Sequence, residues 1–163
     1  LARIGSLAHY LVECELRGAE PDLRDYTPAQ VEAANRSVAS WRAWRKGREL
    51  RPLLVEESLV SEKYLFGGTL DLYAVIDGRR SLVDLKTSKA IYPEYVVQLA
   101  AYRRLLEESG YDVEGQRIIR IGRIEGEGFE DRVIGNWQMG IAWDLFLLLR
   151  KVYDLKAELE GRR

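Results

Sequence analysis

The fold is decided by GGTLDLYAVIDGRRSLVDLKTSK, residues 67–89. Two strand-like apolar runs flank Asp77-Gly78, a dipeptide that marks a two-residue hairpin turn because both positions tolerate positive φ. With those residues in the turn, cross-strand partners have numbers that sum to 155. Asp71 is then expected opposite Asp84, Thr69 opposite Lys86 and Tyr73 opposite Leu82, and the period of two puts all six on one face. The other face pairs Leu70 with Leu85 and Leu72 with Val83 and reads as apolar core.

Opposed residues of an antiparallel pair have β-carbons about 4.5–5.5 Å apart. Two carboxylates there repel by roughly 3 kcal/mol at about 5 Å and an effective dielectric of about 20. A hard divalent cation with oxygen ligands, Mg²⁺ or Mn²⁺, would offset this. Lys86 projects to the same side, where its ammonium could steer a water or stabilise charge on a phosphate. A solvated face on which Asp and Lys partly neutralise each other fits the same residues. Three neighbours add weight to a site: Thr87-Ser88-Lys89 supply donors just past the strand, Gly67-Gly68 suggest a close approach, and Gln98 and Tyr102 stack on one helical face.

Outward from the hairpin, residues 1–17 carry apolar residues at helical spacing with Gly18 as a stop. Thr27-Pro28-Ala29-Gln30 orders a capping hydroxyl, a proline at the first helical position and a capping-box glutamine, which opens a helix to about Lys46. Strand-like runs begin at Leu53. A helix follows Pro93 and ends near Gly110, RIIRIGRI (117–124) and FEDRVI (129–134) read as strands, and a long helix runs from about Trp137 to Glu160. The order predicts an α/β fold with a small mixed central sheet flanked by helices, as one domain over residues 1–163.

The 163 residues suffice to bury a core without staples. The single cysteine, Cys14, leaves no internal disulfide and no four-cysteine iron-sulfur cluster, and it points to a reducing, cytoplasmic setting. No secretory signal is visible. The most apolar stretch, Ile141 to Leu149, contains Asp144 and falls short of the roughly 20 residues that span a bilayer, so no membrane partner is expected. With 25 basic and 26 acidic residues the formal charge is −1. Bulk charge therefore cannot hold a polyanion, and any nucleic acid must be held by local patches.

GGTLD (67–71), VDLKTSK (83–89) and QLAAY (98–102), with GSLAH (5–9) upstream, resemble the PD-(D/E)XK nuclease superfamily and specifically its RecB-like exonuclease branch. The resemblance implies a restriction-endonuclease-like core and metal-dependent hydrolysis of DNA phosphodiesters in DNA processing, recombination or repair. It implies that Asp71, Asp84 and the backbone carbonyl of Leu85 hold Mg²⁺ or Mn²⁺, with His9 as a further metal ligand. Lys86 would position or activate the attacking water, and Gln98 and Tyr102 would orient the site and the strand. The iron-sulfur subgroup of the branch is excluded by the cysteine count. No GxxxxGK[ST] motif occurs, so the chain would act free-standing or beside a helicase or recombination partner protein.

His9, the only histidine, would by default be a packing residue, and Glu13 one turn on could orient its ring. Of Glu56 and Glu57, alternation admits one to the active face, and Glu57 is the expected additional carboxylate. Arg42, Arg45, Lys46 and Arg48, interleaved with Trp41 and Trp44, suit a phosphate backbone and stacked bases, as would Thr87 and Lys89. The tryptophans equally suit a buried stripe with solvated arginines around it. The last helix is apolar on more than one face, which leaves room for a homo-oligomer contact. The competing functional class is an inactive nuclease fold that binds DNA or a partner protein without cutting.

Overall fold

The computed structural model describes residues 1–162. Its elements run α1 (Ala2–Arg17), α2 (Pro28–Lys46), β1 (Leu50–Ser61), β2 (Phe66–Ile76), β3 (Arg79–Thr87), α3 (Pro93–Glu108), β4 (Gly115–Ile121), β5 (Phe129–Ile134) and α4 (Asn136–Leu159), with one 3₁₀ turn at Glu125–Glu127. The five strands lie in the sheet in sequence order. All neighbours are antiparallel except β3 and β4. That parallel pair needs a crossover, and α3 supplies it.

Local chemistry accounts for the ends. Gly18 takes the left-handed conformation that closes α1. Thr27 accepts from Gln30 N at 3.2 Å while Gln30 Oε1 accepts from Thr27 N at 2.9 Å, completing the expected capping box. Asp77 and Gly78 both have positive φ, +48° and +82°, as a primed hairpin turn requires. β1 starts at Leu50, three residues before the predicted onset. Pro52 is tolerated because β1 is an edge strand, and the register slips beside it, between Pro52 and Leu54.

Helices cover both faces of the sheet. Leu7, Leu11 and Val12 of α1 and Val38 and Trp41 of α2 pack on Leu72, Ala74, Val83 and Leu85. On the opposite face Leu99 and Leu106 of α3 and Met139 of α4 pack on Leu70, Tyr73, Leu82 and Ile118. No helix among the described residues is long and apolar enough to cross a membrane.

The hairpin register is as expected from Ile76–Arg79 to Leu72–Val83, where every pair sums to 155, and the ladder stops there. The expected pairs Asp71–Asp84 and Thr69–Lys86 do not form. Past that point β2 keeps only β1 as a partner, and β3 keeps only β4, with which it pairs from Ser81 onward, with Asp84 opposite Ile118 and Lys86 opposite Arg120. The strands therefore splay, and Leu70 buries under α3 and α4 rather than with Leu72 and Leu85. The cause is visible at Asp71: its Oδ2 accepts the Leu85 N–H at 2.7 Å, so a side chain occupies a place the ladder would have used.

Candidate active site

The splayed end of the hairpin is where side chains from both helical layers meet. From the α1 side, His9 Nε2 lies 3.1 Å from Asp71 Oδ1, and His9 Nδ1 lies 3.7 Å from Glu56 Oε1. From the α3 side, Gln98 Oε1 accepts from Lys86 Nζ at 2.5 Å. Lys86 Nζ is 3.1 Å from Asp84 Oδ2 and 4.7 Å from the centre of the Tyr95 ring. Thus Asp71, Asp84, Lys86, Gln98 and His9 converge.

Close packing makes this convergence possible. A β-carbon on Gly5 would stand 2.7 Å from Thr87 Oγ1, so the glycine lets α1 approach the end of β3. A β-carbon on Gly68 would meet Tyr102 Cε1 at 2.8 Å, which explains why the segment before Asp71 carries glycine and fixes where Tyr102 stands. Gly68→Ala is therefore expected to cost about 1–3 kcal/mol through overpacking. Gly126→Ala, with open space around it, should leave the thermal melt unchanged and serves as the control; equal melts would contradict the contact.

The electrostatics follow from burial and from crowded carboxylates. Asp84 is 2% exposed. Burial pushes its carboxyl up to about 8, Asp71's charge adds to this, and Lys86 offsets it only partly. At Asp71 burial acts upward too, but the His9 hydrogen bond and charge and the Leu85 N–H outweigh it and hold the group below its ordinary value. His9 is the converse: burial disfavours its charged form, yet Asp71, then Glu56 and Asp84, raise its pKa. Glu56 is raised to about 7 by burial and by Asp71. Tyr102 is pushed up to about 12 by burial, then by Asp84, Asp71 and Glu56. His9 thus stands against Asp71 and Glu56 on the α1 side, while Lys86 stands against Asp84 on the α3 side.

These donors fit a hard or borderline divalent cation. Asp84 Oδ2 is buried and, although 3.1 Å from Lys86 Nζ, has no aligned hydrogen bond, so its electron pairs suit a cation. His9, Glu13 and Glu56 each offer a ligand atom within 4.8 Å of one another. The carboxylates suit hard ions such as Mg²⁺ and Mn²⁺, and the imidazole beside them suits a borderline first-row ion. Glu13 also pairs with Arg17 at 3.3 Å.

Several expected residues sit elsewhere. Glu57 is exposed, and Glu56 takes its place. The β1–β2 register puts Glu56 across from Asp71, because Val55–Leu72 and Glu57–Leu70 flank that position. Glu56 has φ +48°, a left-handed kink that breaks the alternation on which the choice of Glu57 depended. Trp41 and Trp44 are buried, 1% and 8% exposed, and stack on each other at 5.2 Å, so bases cannot stack on them. Arg42 pairs with Glu15 at 2.6 Å, and Arg48 lies over Trp44 and beside Asp131. The loop after α2 is tied to the hairpin turn, since Asp77 N donates to Glu49 O at 2.8 Å. Arg48 and its neighbours Arg45 and Lys46 therefore stand near the far end of β2, about 17 Å of strand from Asp71. Thr87 is half-buried at the site's edge and Lys89 is exposed in the loop beyond it. Tyr95, which no motif singled out, supplies the ring under Lys86.

No family model matches the chain, and no curated protein matches it. Among solved structures it is similar to a candidate exonuclease from Eubacterium rectale, with a TM-score of 0.68 and 14% identity, covering 95% of this chain and 68% of that one. The class defined by the fold is thus a five-stranded mixed α/β sheet between helices, a nuclease-like core.

Proposed function

We propose that the chain is a metal-dependent deoxyribonuclease of the PD-(D/E)XK superfamily, in its RecB-like exonuclease branch, forming one nuclease domain over residues 1–163 that works inside the cell. The observation that carries the reading is the meeting of Asp71, Asp84, Lys86 and Gln98 at the place where β2 and β3 part. A fold shared with a candidate exonuclease supports it. DNA is the substrate.

In this reading Asp71, Asp84, the Leu85 carbonyl and His9 hold Mg²⁺ or Mn²⁺, with Glu56 as the further carboxylate. Once bound, the cation lowers the pKa of a nucleophilic water and offsets charge on the phosphoryl and leaving oxygens. Lys86 is fixed from three sides, by Gln98, Asp84 and the Tyr95 ring, so its ammonium keeps one direction in which to orient a water or a phosphate oxygen. Gln98 sets that direction, and Tyr102, locked against Gly68, walls the cleft on the α3 side. Asp71 keeps its charge through His9 and the Leu85 N–H, so a negative ligand persists at neutral pH. Thr87 and Lys89, just beyond Lys86, contact the DNA strand nearest the reacting phosphate; Arg45, Lys46 and Arg48 stand farther along the sheet, and Arg42 is paired with Glu15.

The test is cleavage of end-labelled single- and double-stranded DNA by the purified chain. Products are expected with Mg²⁺ or Mn²⁺ and none with chelator. Inertness on both substrates in every metal, while DNA is still bound, would replace this reading with that of a non-cutting DNA-binding module.

A further inference from the structure

The long helix α4 turns one face inward, with Met139, Phe146 and Ala157 against the core. About half a turn away, Ile141, Leu145, Leu148, Val152, Leu155 and Leu159 follow at steps of 4, 3, 4, 3 and 4. All six are solvent-exposed, Leu148 by 64% and Leu159 by 89%. Ile141 and Leu145 border a groove shared with Ile91, Tyr92 and Val96, and the stripe continues from there to Leu159. Those steps average 3.6 residues, the period of the helix itself, so the stripe runs straight along one side of α4 and can lie along a second straight helix. A helix that needed only solvent on this side would carry charged residues there.

We propose that the occupant is a second copy of this chain, its α4 lying antiparallel to the first about a twofold axis. The seam reads the same in both directions. Pairing residues whose numbers sum to 300 sets Ile141 against Leu159 of the second copy, Leu145 against Leu155, and Leu148 against Val152. Every apolar position then has an apolar partner, which is the self-complementarity that an isologous interface demands. Leu149, 52% exposed on the flank, meets its own counterpart close to the axis. At on the order of 100 Å² from each residue, the seam buries about 700 Å² per copy, near the roughly 800 Å² per partner of a standard specific interface.

The other flank is less favourable. In this register Lys151 faces Lys151 of the second copy, and Asp144 lies near Glu158. The pairing is therefore apolar in origin and opposed by like charges, so added salt should tighten it by screening.

Sedimentation equilibrium of the whole chain tests this. A dimer is expected, with a dissociation constant that falls when NaCl is raised from about 0.05 to 0.5 M. Leu148→Glu and Val152→Lys, each at an exposed position that leaves the core intact, should each weaken dimerisation at least about 30-fold with unchanged circular dichroism. Mixed together, the two variants should form a heterodimer, because antiparallel packing sets residue 148 against residue 152 and leaves the second such layer apolar. A monomeric wild type, even one that captures some other helix, would overturn the proposal. A dimer indifferent to both substitutions, or no recovery on mixing, would do the same.

Discussion

Asp84→Asn is expected to lower DNA cleavage on the order of 10³-fold and, in the same protein without metal, to raise the melting temperature by about 5 °C. The two effects have one cause. Asp84 is almost fully buried, close to Asp71, and only partly compensated by Lys86. A charge so placed costs folding energy, and in the proposed reading a bound cation would offset that cost.

The sign with pH follows from linkage. The Asp84 carboxyl titrates near 8 in the folded chain, against about 3.9 in an unfolded one. Between those values the folded state holds the proton that the unfolded state has released, so metal-free stability declines as pH rises through this window. Below about pH 4 both states are protonated and Asn gains nothing; above pH 8 its advantage is full. Glu56, raised to about 7, makes the wild type fall in the same direction. Asp71, held below its ordinary value, acts oppositely, but only in acid.

Lys86→Ala separates the two readouts. It should lose cleavage to a similar extent, because nothing else presents an ammonium at that point. It should bring no gain in stability, since it leaves the buried Asp84 without its cation. An Asp84→Asn protein that cuts DNA within about tenfold of wild type, or that melts lower at pH 8, would remove Asp84 from the proposed role.

How much of this was legible in the sequence depended on where geometry is local. Asp77-Gly78 sets its own φ angles, so the turn and the register up to Leu72–Val83 could be counted from it. Thr27 and Gln30 cap their helix through contacts three residues apart. The parting of β2 and β3 was not countable, because it depends on a side chain, Asp71, taking a backbone N–H that ideal alternation assigns to the ladder. Counting therefore brought the two aspartates together but wrongly set them directly opposite each other.

The basic stretch shows the same limit at longer range. Arginines interleaved with tryptophans look alike whether the rings stack on bases or on each other. Only the packing of α2 on the sheet decides, and it buries Trp41 and Trp44. Tyr95 likewise has no signature of its own; the docking of α3 beside β3 puts its ring under Lys86.

Glu56 and Glu57 give the sharpest remaining test, because adjacent glutamates of identical chemistry are expected to behave differently. The β1–β2 turn around Glu62 to Leu65 carries no Asn-Gly or Asp-Gly, and the register beyond it could not be counted from sequence. In the structure the paired numbers sum to 127 through this region, which sets Glu56 across from Asp71. The left-handed φ of Glu56 aims its carboxylate at His9. A non-glycine residue in that conformation costs on the order of 1 kcal/mol or more, and Glu57, exposed on the edge strand, carries no such cost.

Glu56→Gln should therefore weaken Mn²⁺ binding and cleavage by about 10- to 100-fold, the range for groups that support a metal's ligands. Glu57→Gln should stay within about twofold of wild type on both. Glu56→Gly adds a separate readout: it relieves the strained φ while removing the carboxylate, so the metal-free protein should melt no lower than wild type even as metal affinity falls. Isothermal titration with Mn²⁺ alone, beside thermal melts with and without the ion, measures both. If Glu57→Gln proved the damaging change, the kink at Glu56 and the register through it would be wrong, and the site would have to be rebuilt with the strand turned over.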